Sequence, residues 1–168
     1  MKKATKYSCG VLTLSDKGSR GERKDTSGEV LQEILGKQGF MVAAYAVIPD
    51  RQDLIESTLI SWVDKKKLDL IVTTGGTGVS PNDRTPEATR RVIELEIPGI
   101  AEAMRRASLA KTVNAVWSRG IAGIRRETLI VNLPGSKKAA EENIAVVLPA
   151  LEHGIYKLKG GTADCAAS

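Results

Sequence analysis

Residues Leu70 to Arg90, LIVTTGGTGVSPNDRTPEATR, constrain the fold of this chain more than any other stretch. The stretch opens with a short apolar run rich in β-branched residues, which is typical of a strand buried on both faces. Gly75, Gly76 and Gly78 follow at once, and they permit positive φ angles and a close backbone approach to a phosphate. Thr85-Pro86 then indicates a helix start, with threonine as the N-cap and proline in the first turn. The stretch therefore predicts a strand, an anion-binding loop and a helix in direct succession.

Apolar periodicity predicts that strands and helices alternate along the whole chain. We expect strands at 7–15, 40–48, 68–73 and 128–133. We expect helices to begin near Asp25, Pro49, Pro86, Pro98 and Lys137, the last of them running to Glu152. The helix after Pro98 is expected to turn Ile100, Ala103, Met104 and Ala107 inward, whereas 112–126 shows no readable period. Such alternation predicts an α/β fold, a three-layer sandwich with a mostly parallel central sheet and helices on both faces.

Length and composition fit a single domain over 1–168, with a core at about 7–158 and a mobile tail at 160–168. Hydrophobic residues make up 42% of the chain and charged residues 27%, which is ordinary for a globular protein. The 25 basic against 20 acidic residues favour an anionic substrate. The basic residues are scattered, so we expect no nucleic-acid partner.

Cysteine usage and the N-terminus bear on the compartment. Cys9 and Cys165 have neither metal-ligand spacing nor the pattern of a disulfide framework. The N-terminal residues reach Ser15-Asp16 before a signal-like apolar region is complete, and no run approaches the length of a membrane span. We therefore expect a cytoplasmic protein with no membrane partner.

Polar residues stand at the carboxyl ends of the predicted strands, where ligands bind in a sheet of this type. The first two strands end in Ser15-Asp16 and Pro49-Asp50, the third in the glycine loop with Thr77 and Asp83, and the last in Asn132 to Ser136. We expect all four ends to converge on one site.

Asp50 and Asp83 are the candidate catalytic and metal-binding residues. Taken alone, Asp50 fits a helix N-cap after Pro49, and Asp83 fits an Asx turn. Taken together, two carboxylates beside a phosphate-sized loop match the way in which proteins hold Mg²⁺, with one or two carboxylates and substrate phosphates. The pair therefore favours a metal–nucleotide site.

The turn Asn132 to Ser136, which contains Pro134 and Gly135, has two open interpretations. It either joins strand to helix with Ser136 as the N-cap, or its free N–H groups bind an anion at the helix start. His153 is the only histidine, and it lies at a helix end. A catalytic triad is therefore not expected.

The string TGGTG-x-x-x-x-D-x-T-P-E-A-T, here at Thr74 to Thr89, resembles the signature of the molybdopterin adenylyltransferase family. This family is MogA/MoaB-like and includes the G domains of gephyrin and plant Cnx. The resemblance extends from about Tyr7 to Leu158 and implies the MogA/MoaB-like molybdopterin-binding fold. It implies transfer of AMP from ATP to molybdopterin with Mg²⁺ as cofactor, which gives adenylylated molybdopterin and pyrophosphate before metal insertion.

The same resemblance implies site residues that periodicity does not indicate. The segment from Ser108 to Arg125 is similar to the family segment that supplies hydroxyls and arginines to a phosphate pocket, which makes Ser108, Ser118 and Arg119 substrate-binding candidates. Asp25 resembles the aspartate of the family's D-x-S-G motif, although helix capping explains it equally well. Family members form trimers, some of which pair into hexamers, so the resemblance implies a homotrimer and a molybdenum-insertion protein as downstream partner.

Other functions stay open beside adenylyl transfer. A paralogue that binds molybdopterin without catalysis has the same fold, but the presence of both Asp50 and Asp83 favours an enzyme. A dinucleotide oxidoreductase needs G-x-G-x-x-G and a later acidic residue, and neither is present. A scaffold of the gephyrin kind needs a further domain and linker, so it ranks last.

Overall fold

The computed structural model describes residues 7–162, which form one six-stranded sheet with helices on both faces. The strands are β1 (Tyr7–Leu14), β2 (Phe40–Ile48), β3 (Leu70–Thr74), β4 (Leu95–Glu96), β5 (Ala122–Arg125) and β6 (Thr128–Leu133). The helices are α1 (Asp16–Ser19), α2 (Thr26–Gln38), α3 (Gln52–Asp64), α4 (Thr85–Val92), α5 (Pro98–Leu109) and α6 (Lys137–Leu158), and a 3₁₀ helix covers Val113–Trp117. Most of the predicted tail, with Cys165, lies outside the described residues.

The strands run in the order β2-β1-β3-β6-β5-β4. The first four are parallel, whereas β5 and β4 are antiparallel additions at one edge. The connection from β1 leads outward to β2, and the connection from β2 returns across β1 to β3. The strand order therefore reverses between β1 and β3, and this is the switch point at which such sheets bind ligands. The predicted mostly parallel α/β fold is confirmed.

Each face of the sheet has its own apolar core, because alternate side chains of a strand point to opposite faces. On one face, Val11 and Val72 pack against α2, α5 and α6. On the other, Leu12 and Ile71 pack against α3 and α4. The two cores fix the central strands from both sides, so the loops at their carboxyl ends start from rigid positions. None of the helices within residues 7–162 has the length and apolar character that crossing a bilayer requires.

Several predicted details are wrong. The unreadable stretch contains the 3₁₀ helix and β5, and β5 and β4 escape periodicity because they are only 4 and 2 residues long. Helix α6 does not stop at Glu152 but continues to Leu158, since Ile155 is fully buried in the core. Ala103 is exposed, because α5 turns Ala101 and Met104 toward the sheet instead.

Candidate functional site

A cavity of about 500 Å³ lies at the switch point of the sheet. The segment after β1, the end of β2, the glycine loop after β3 and the turn after β6 all contribute to its walls. The predicted convergence of the four strand ends is therefore confirmed. The predicted site residues that line this cavity are Ser15, Asp16, Asp25, Asp50, Gly75, Gly76, Asp83, Gly135 and Ser136.

The floor of the cavity is the glycine loop, whose shape depends on Gly75 and Gly76. Their φ angles are +102° and +65°, values that disfavour any residue with a side chain. A Cβ on Gly75 would lie 2.4 Å from the Leu14 carbonyl oxygen, so the loop packs directly on the end of β1. Thr85 Oγ1 donates a hydrogen bond to the Gly75 carbonyl at 2.9 Å. The N-cap predicted for Thr85 is wrong, because Arg84 occupies that position and the Thr85 hydroxyl braces the loop.

Gly78 and Asp83 form the outer part of the same loop. The positive φ expected at Gly78 is wrong, and a side chain at this position would instead displace the Asp83 carboxylate. A Cβ there would lie 2.9 Å from Asp83 Oδ2, which accepts a hydrogen bond from the Ser80 N–H at 2.8 Å. The Asx turn considered for Asp83 is wrong, because its carboxylate accepts from the N–H three residues earlier, whereas the N–H two residues later, that of Thr85, donates to the Gly76 carbonyl. Oδ1 of Asp83 has no hydrogen bond to the described residues, and Asp83 lines the cavity.

Asp50 stands over the loop from the end of β2. Its Oδ1 atom is fully buried and has no hydrogen-bond partner among the described residues. A Cβ on Gly76 would lie 2.9 Å from this oxygen, so the carboxylate lies close against the glycine. Burial raises the pKa of Asp50, and the charges of Asp16 and Asp83 raise it further. The helix-capping role considered for Asp50 is wrong, because Arg51 occupies the N-cap of α3.

Asp25 is the opposite case, because the protein satisfies both of its oxygens. It is the N-cap of α2, and its Oδ1 accepts a hydrogen bond from the Gly28 N–H at 2.9 Å. Its Oδ2 accepts hydrogen bonds from the hydroxyls of Thr13 and Tyr45, both at 2.6 Å. Burial and the bond to Asp25 raise the pKa of Tyr45, so its phenol stays protonated and remains a donor. The capping interpretation of Asp25 is confirmed.

The turn after β6 closes the far side of the cavity. Gly135 packs on the glycine loop, since a Cβ there would lie 3.2 Å from the Gly75 Cα. Ser27 Oγ donates to the Gly135 carbonyl at 2.8 Å, which ties the turn to α2. Ser136 caps α6 by accepting a hydrogen bond from the Ala139 N–H at 3.2 Å. The structural role of this turn is therefore visible, and its role as an anion site stays a prediction.

A second cavity of about 240 Å³ lies on the other side of the same turn. Ser108, Ser118 and Pro134 line it, so two of the three candidates that the resemblance placed in the segment from Ser108 to Arg125 lie together. Asn143 donates from Nδ2 to Ser108 Oγ at 3.0 Å and holds that hydroxyl in place. Because Pro134 and Gly135 are consecutive, one turn separates the two cavities.

Arg119 lies outside the linings of both cavities. Its Nε donates to the Gly78 carbonyl at 2.6 Å and its Nη2 to the Asp83 carbonyl at 2.9 Å. Its Nη1 forms an ion pair with Glu87. All three nitrogens of the guanidinium are therefore engaged by the loop and by α4, and Arg119 braces the loop from behind.

Asn132 and Thr77 are also turned away from both cavities. The Asn132 side chain is 1% exposed, and its Nδ2 donates to the hydroxyls of Thr73 and Thr89 at 3.0 and 2.9 Å. It links β6 to β3 and α4 inside the protein. Thr77 is 7% exposed in the middle of the loop. Neither side chain therefore lines a cavity, and that of Asn132 instead fixes the packing beneath the site.

Three basic residues of the cavity wall are missing from the sequence-based prediction. Lys17, Arg23 and Lys24 lie on the segment between β1 and α2 and line the cavity from its outer side. The polar run that contains them has no periodicity, so its pattern predicts only a loop. The signal that indicates them is their place directly after a strand end that carries Ser15 and Asp16.

Comparison with known proteins places the chain among cofactor-synthesis proteins. A family described as a probable molybdopterin binding domain matches residues 10–153. The chain is 42% identical over 153 residues to the molybdopterin adenylyltransferase of Helicobacter pylori strain J99, covering 90% of this chain and 87% of that protein. It is 37% identical over 155 residues to the Escherichia coli K12 molybdopterin adenylyltransferase, covering 88% and 78%. It is 42% identical to Dictyostelium discoideum gephyrin, but covers only 23% of that protein.

Solved structures similar to this chain are likewise named as molybdopterin biosynthesis proteins. The molybdopterin biosynthesis enzyme MoaB from Thermus thermophilus superposes with a TM-score of 0.87 at 50% identity, covering 92% of this chain and 98% of that one. The molybdopterin biosynthesis Mog protein from Mycobacterium ulcerans gives a TM-score of 0.86 at 36% identity, covering 91% and 99%. The family match at residues 10–153 includes the lining of both cavities.

Proposed function

The chain belongs to the family of the probable molybdopterin binding domain, and from this premise we propose that it is a molybdopterin adenylyltransferase of molybdenum cofactor biosynthesis. The reaction transfers AMP from ATP to the terminal phosphate of molybdopterin and releases pyrophosphate. Relatives that carry this name match most of the chain at 37–42% identity. The assignment of an enzyme rather than a binding protein needs support from the site itself.

The proposal is carried by the buried Oδ1 of Asp50, which has no hydrogen-bond partner within residues 7–162. Leaving a buried charged oxygen without a partner costs free energy, and binding of a ligand to that oxygen would remove the cost. The site residues fit Mg²⁺, which takes hard oxygen ligands and is usually held by one or two carboxylates together with substrate phosphates and water. Asp50 and Asp83 are the carboxylates that we propose for this role. When bound, Mg²⁺ offsets the charge of the triphosphate.

The remaining residues position the two substrates around this pair. The glycine loop brings backbone atoms to the cavity floor, where N–H groups can approach a phosphate that a side chain would exclude. The free N–H groups at the start of α6, next to Ser136, favour an anion on the other side. Ser108 and Ser118 add hydroxyls in the second cavity, which suits the acceptor molybdopterin. The turn between the cavities then lies where acceptor and ATP meet.

The chemistry needs no strong general base. The acceptor phosphate is already largely dianionic near neutral pH, because its second pKa is about 6. One of its oxygens attacks the α-phosphorus of ATP, and the bond to the pyrophosphate oxygen breaks. Positioning and electrostatic stabilisation therefore account for the rate, and Asp50 and Asp83 act as ligands rather than as proton acceptors.

Purified protein with molybdopterin, ATP and Mg²⁺ tests this function through the release of pyrophosphate. We expect release that requires all three components and that falls to background in the double variant Asp50→Asn/Asp83→Asn, with molybdopterin binding retained. Binding of molybdopterin without pyrophosphate release by the wild-type protein would instead identify a non-catalytic molybdopterin-binding paralogue.

The wider setting is also part of the proposal. We propose one domain over the whole chain, a cytoplasmic location, and transfer of the product to a molybdenum-insertion protein. We further propose a homotrimer, with a hexamer as the larger alternative. Val113, Val116 and Trp117 are each at least 60% exposed on the 3₁₀ helix, and contact with another copy would cover such apolar side chains. Sedimentation of the purified protein distinguishes a monomer, a trimer and a hexamer.

A further inference from the structure

We propose that Lys17 and Arg23 bind the pyrophosphate end of ATP and stabilise it as it leaves. The inference rests on the proposed adenylyl transfer and assigns the leaving group to the segment between β1 and α2. Both residues are exposed and both line the main cavity. Neither belongs to a motif that the sequence makes visible.

The charges of the cavity show why these two residues matter. Four carboxylates line it, namely Asp16, Asp25, Asp50 and Asp83. A triphosphate carries about four negative charges, so these carboxylates alone would repel it. The basic residues on the cavity wall are Lys17, Arg23 and Lys24, all on the segment after β1. The positive side chains that this cavity offers to the triphosphate, in addition to any bound Mg²⁺, therefore lie on this side.

The ion pairs of this segment separate available cations from occupied ones. Lys24 pairs with Glu29 at 3.1 Å, and Arg20 pairs with Glu22 at 2.8 Å. Lys17 and Arg23 form no ion pair with any residue in the range 7–162. Their charges are free to meet a ligand, and their exposure gives the long side chains room to close on it.

The strand order gives the direction in which the leaving group departs. In phosphoryl-type transfer, the attacking and leaving oxygens lie roughly in line on opposite sides of the phosphorus. The second cavity lies beyond the turn after β6, so an acceptor held by Ser108 and Ser118 attacks from the β6 side. The pyrophosphate must then depart toward β1 and β2, where Lys17 and Arg23 lie.

The balance of the reaction explains why cations at this end raise the rate as well as the affinity. An oxygen of the acceptor phosphate forms a bond to the α-phosphorus, and the α-phosphorus–oxygen bond to the β-phosphate breaks. The electron pair of the broken bond stays on the pyrophosphate, whose charge rises in the transition state. Cations placed there bind the transition state more tightly than the ground state, which is the condition for catalysis.

Calorimetric titration with inorganic pyrophosphate and Mg²⁺ tests the site without any turnover. We expect the double variant Lys17→Gln/Arg23→Gln to bind pyrophosphate at least tenfold more weakly than the wild-type protein, with an unchanged melting temperature. Arg20→Gln is the matched control, because it removes a charge from the same segment at a residue that is already paired. Wild-type affinity in the double variant, or an equal loss in Arg20→Gln, would overturn the proposal.

Steady-state kinetics separate this proposal from the proposed function. If the wild-type protein releases pyrophosphate from ATP, the double variant should show a lower kcat and a higher KM for ATP, with unchanged affinity for molybdopterin. A wild-type protein without turnover that still binds pyrophosphate through Lys17 and Arg23 would contradict adenylyl transfer and leave the anion site standing. An active wild-type protein whose double variant has normal kcat and KM would contradict the site alone.

Discussion

Helices α2 and α3 both begin at the carboxyl edge of the sheet, and each has an aspartate at its entrance. Asp25 caps α2 and accepts hydrogen bonds from Gly28 N–H and from two hydroxyls. Asp50 enters α3 one residue before the cap position, and its buried Oδ1 accepts none from the residues that the structure describes. Two aspartates at similar places in the fold thus differ: the Asp25 carboxylate stabilises the fold, whereas Oδ1 of Asp50 has no partner among the described residues.

The difference lies in the neighbours that each strand end provides. The Asp25 carboxylate meets Thr13 from β1 and Tyr45 from β2, both of which are hydroxyl donors. The Asp50 carboxylate meets the backbone of the glycine loop and the charges of Asp16 and Asp83. Burial among like charges destabilises a carboxylate unless a cation joins it. Asp50 therefore has the surroundings of a metal ligand, and Asp25 those of a structural residue.

The largest expected effect is on turnover. Asp50→Asn should lower the rate of pyrophosphate release by on the order of 100-fold or more, because metal stabilisation of the transition state is worth several kcal/mol. Asp25→Asn keeps the shape of the side chain and one oxygen that can accept from the Gly28 N–H, so the loss in rate should stay below about tenfold. Equal losses in the two variants would remove the distinction between the two aspartates.

The next largest effect is expected for Gly76, the glycine-loop residue next to Asp50. Gly76→Ala places a Cβ 2.3 Å from Thr85 Oγ1 and 2.9 Å from Asp50 Oδ1, at a φ of +65°. The backbone strain alone is about 1–2 kcal/mol, so we expect weaker molybdopterin and ATP binding together with a lower melting temperature. Gly36→Ala is the control, because it adds the same methyl group to α2 with nothing within 4 Å. A Gly76→Ala protein with wild-type affinity and stability would show that the loop tolerates side chains.

Substitution of Asp25 should lower the stability of the protein more than substitution of Asp50 does, which is the reverse of their expected effects on turnover. Asp25→Ala removes the N-cap and leaves the hydroxyls of Thr13 and Tyr45 without an acceptor, at a cost of about 1–2 kcal/mol. In a chain of this length, that corresponds to a fall in Tm of roughly 2–8 °C. Thermal melting of the ligand-free protein measures it. A Tm within error of wild type would mean that the Asp25 network contributes little to folding.

The smallest effect is a gain in stability. Asp50→Asn removes a charge that burial and two neighbouring carboxylates disfavour, so the ligand-free variant should melt about 1–2 °C above wild type at pH 7. Because the pKa of Asp50 is raised on folding, its charge costs stability above the folded pKa, and the cost disappears as the pH falls through that value. The difference in Tm should therefore shrink in mild acid. A constant difference across this pH range would assign the gain to packing.

Much of the fold was predictable, because it depends on local patterns. Buried β-branched strands such as 70–74 and helix stripes such as Ile55, Leu59 and Val63 are visible as periodicity in the sequence. Strands β4 and β5 were not predictable, because strands of 2 and 4 residues are too short to show an apolar period. Their formation depends on pairing with strands that are distant in the sequence. The length of α6 was underestimated because the prediction ended the helix at Glu152, before Gly154, whereas burial of Ile155 in the core continues it to Leu158.

The location of the candidate site was predictable from the sequence, but the roles of individual residues were less so. The strand ends indicate where polar residues meet, and they place Asp50, Asp83 and Gly75 correctly on one cavity. Whether a side chain faces that cavity depends on packing from other elements. Asn132 is turned inward by two threonine hydroxyls, and Arg119 is held by the loop it braces. Such long-range contacts leave no trace in local spacing.

We infer that Oδ1 of Asp50, which has no partner within residues 7–162, binds a divalent cation together with the nucleotide. Electron paramagnetic resonance of Mn²⁺, titrated with the protein and a non-hydrolysable ATP analogue, tests it most directly. We expect tight Mn²⁺ binding to the wild-type protein and to Asp25→Asn, and at least tenfold weaker binding to a folded Asp50→Asn. Equal Mn²⁺ affinity in all three proteins would show that Asp50 does not bind the cation.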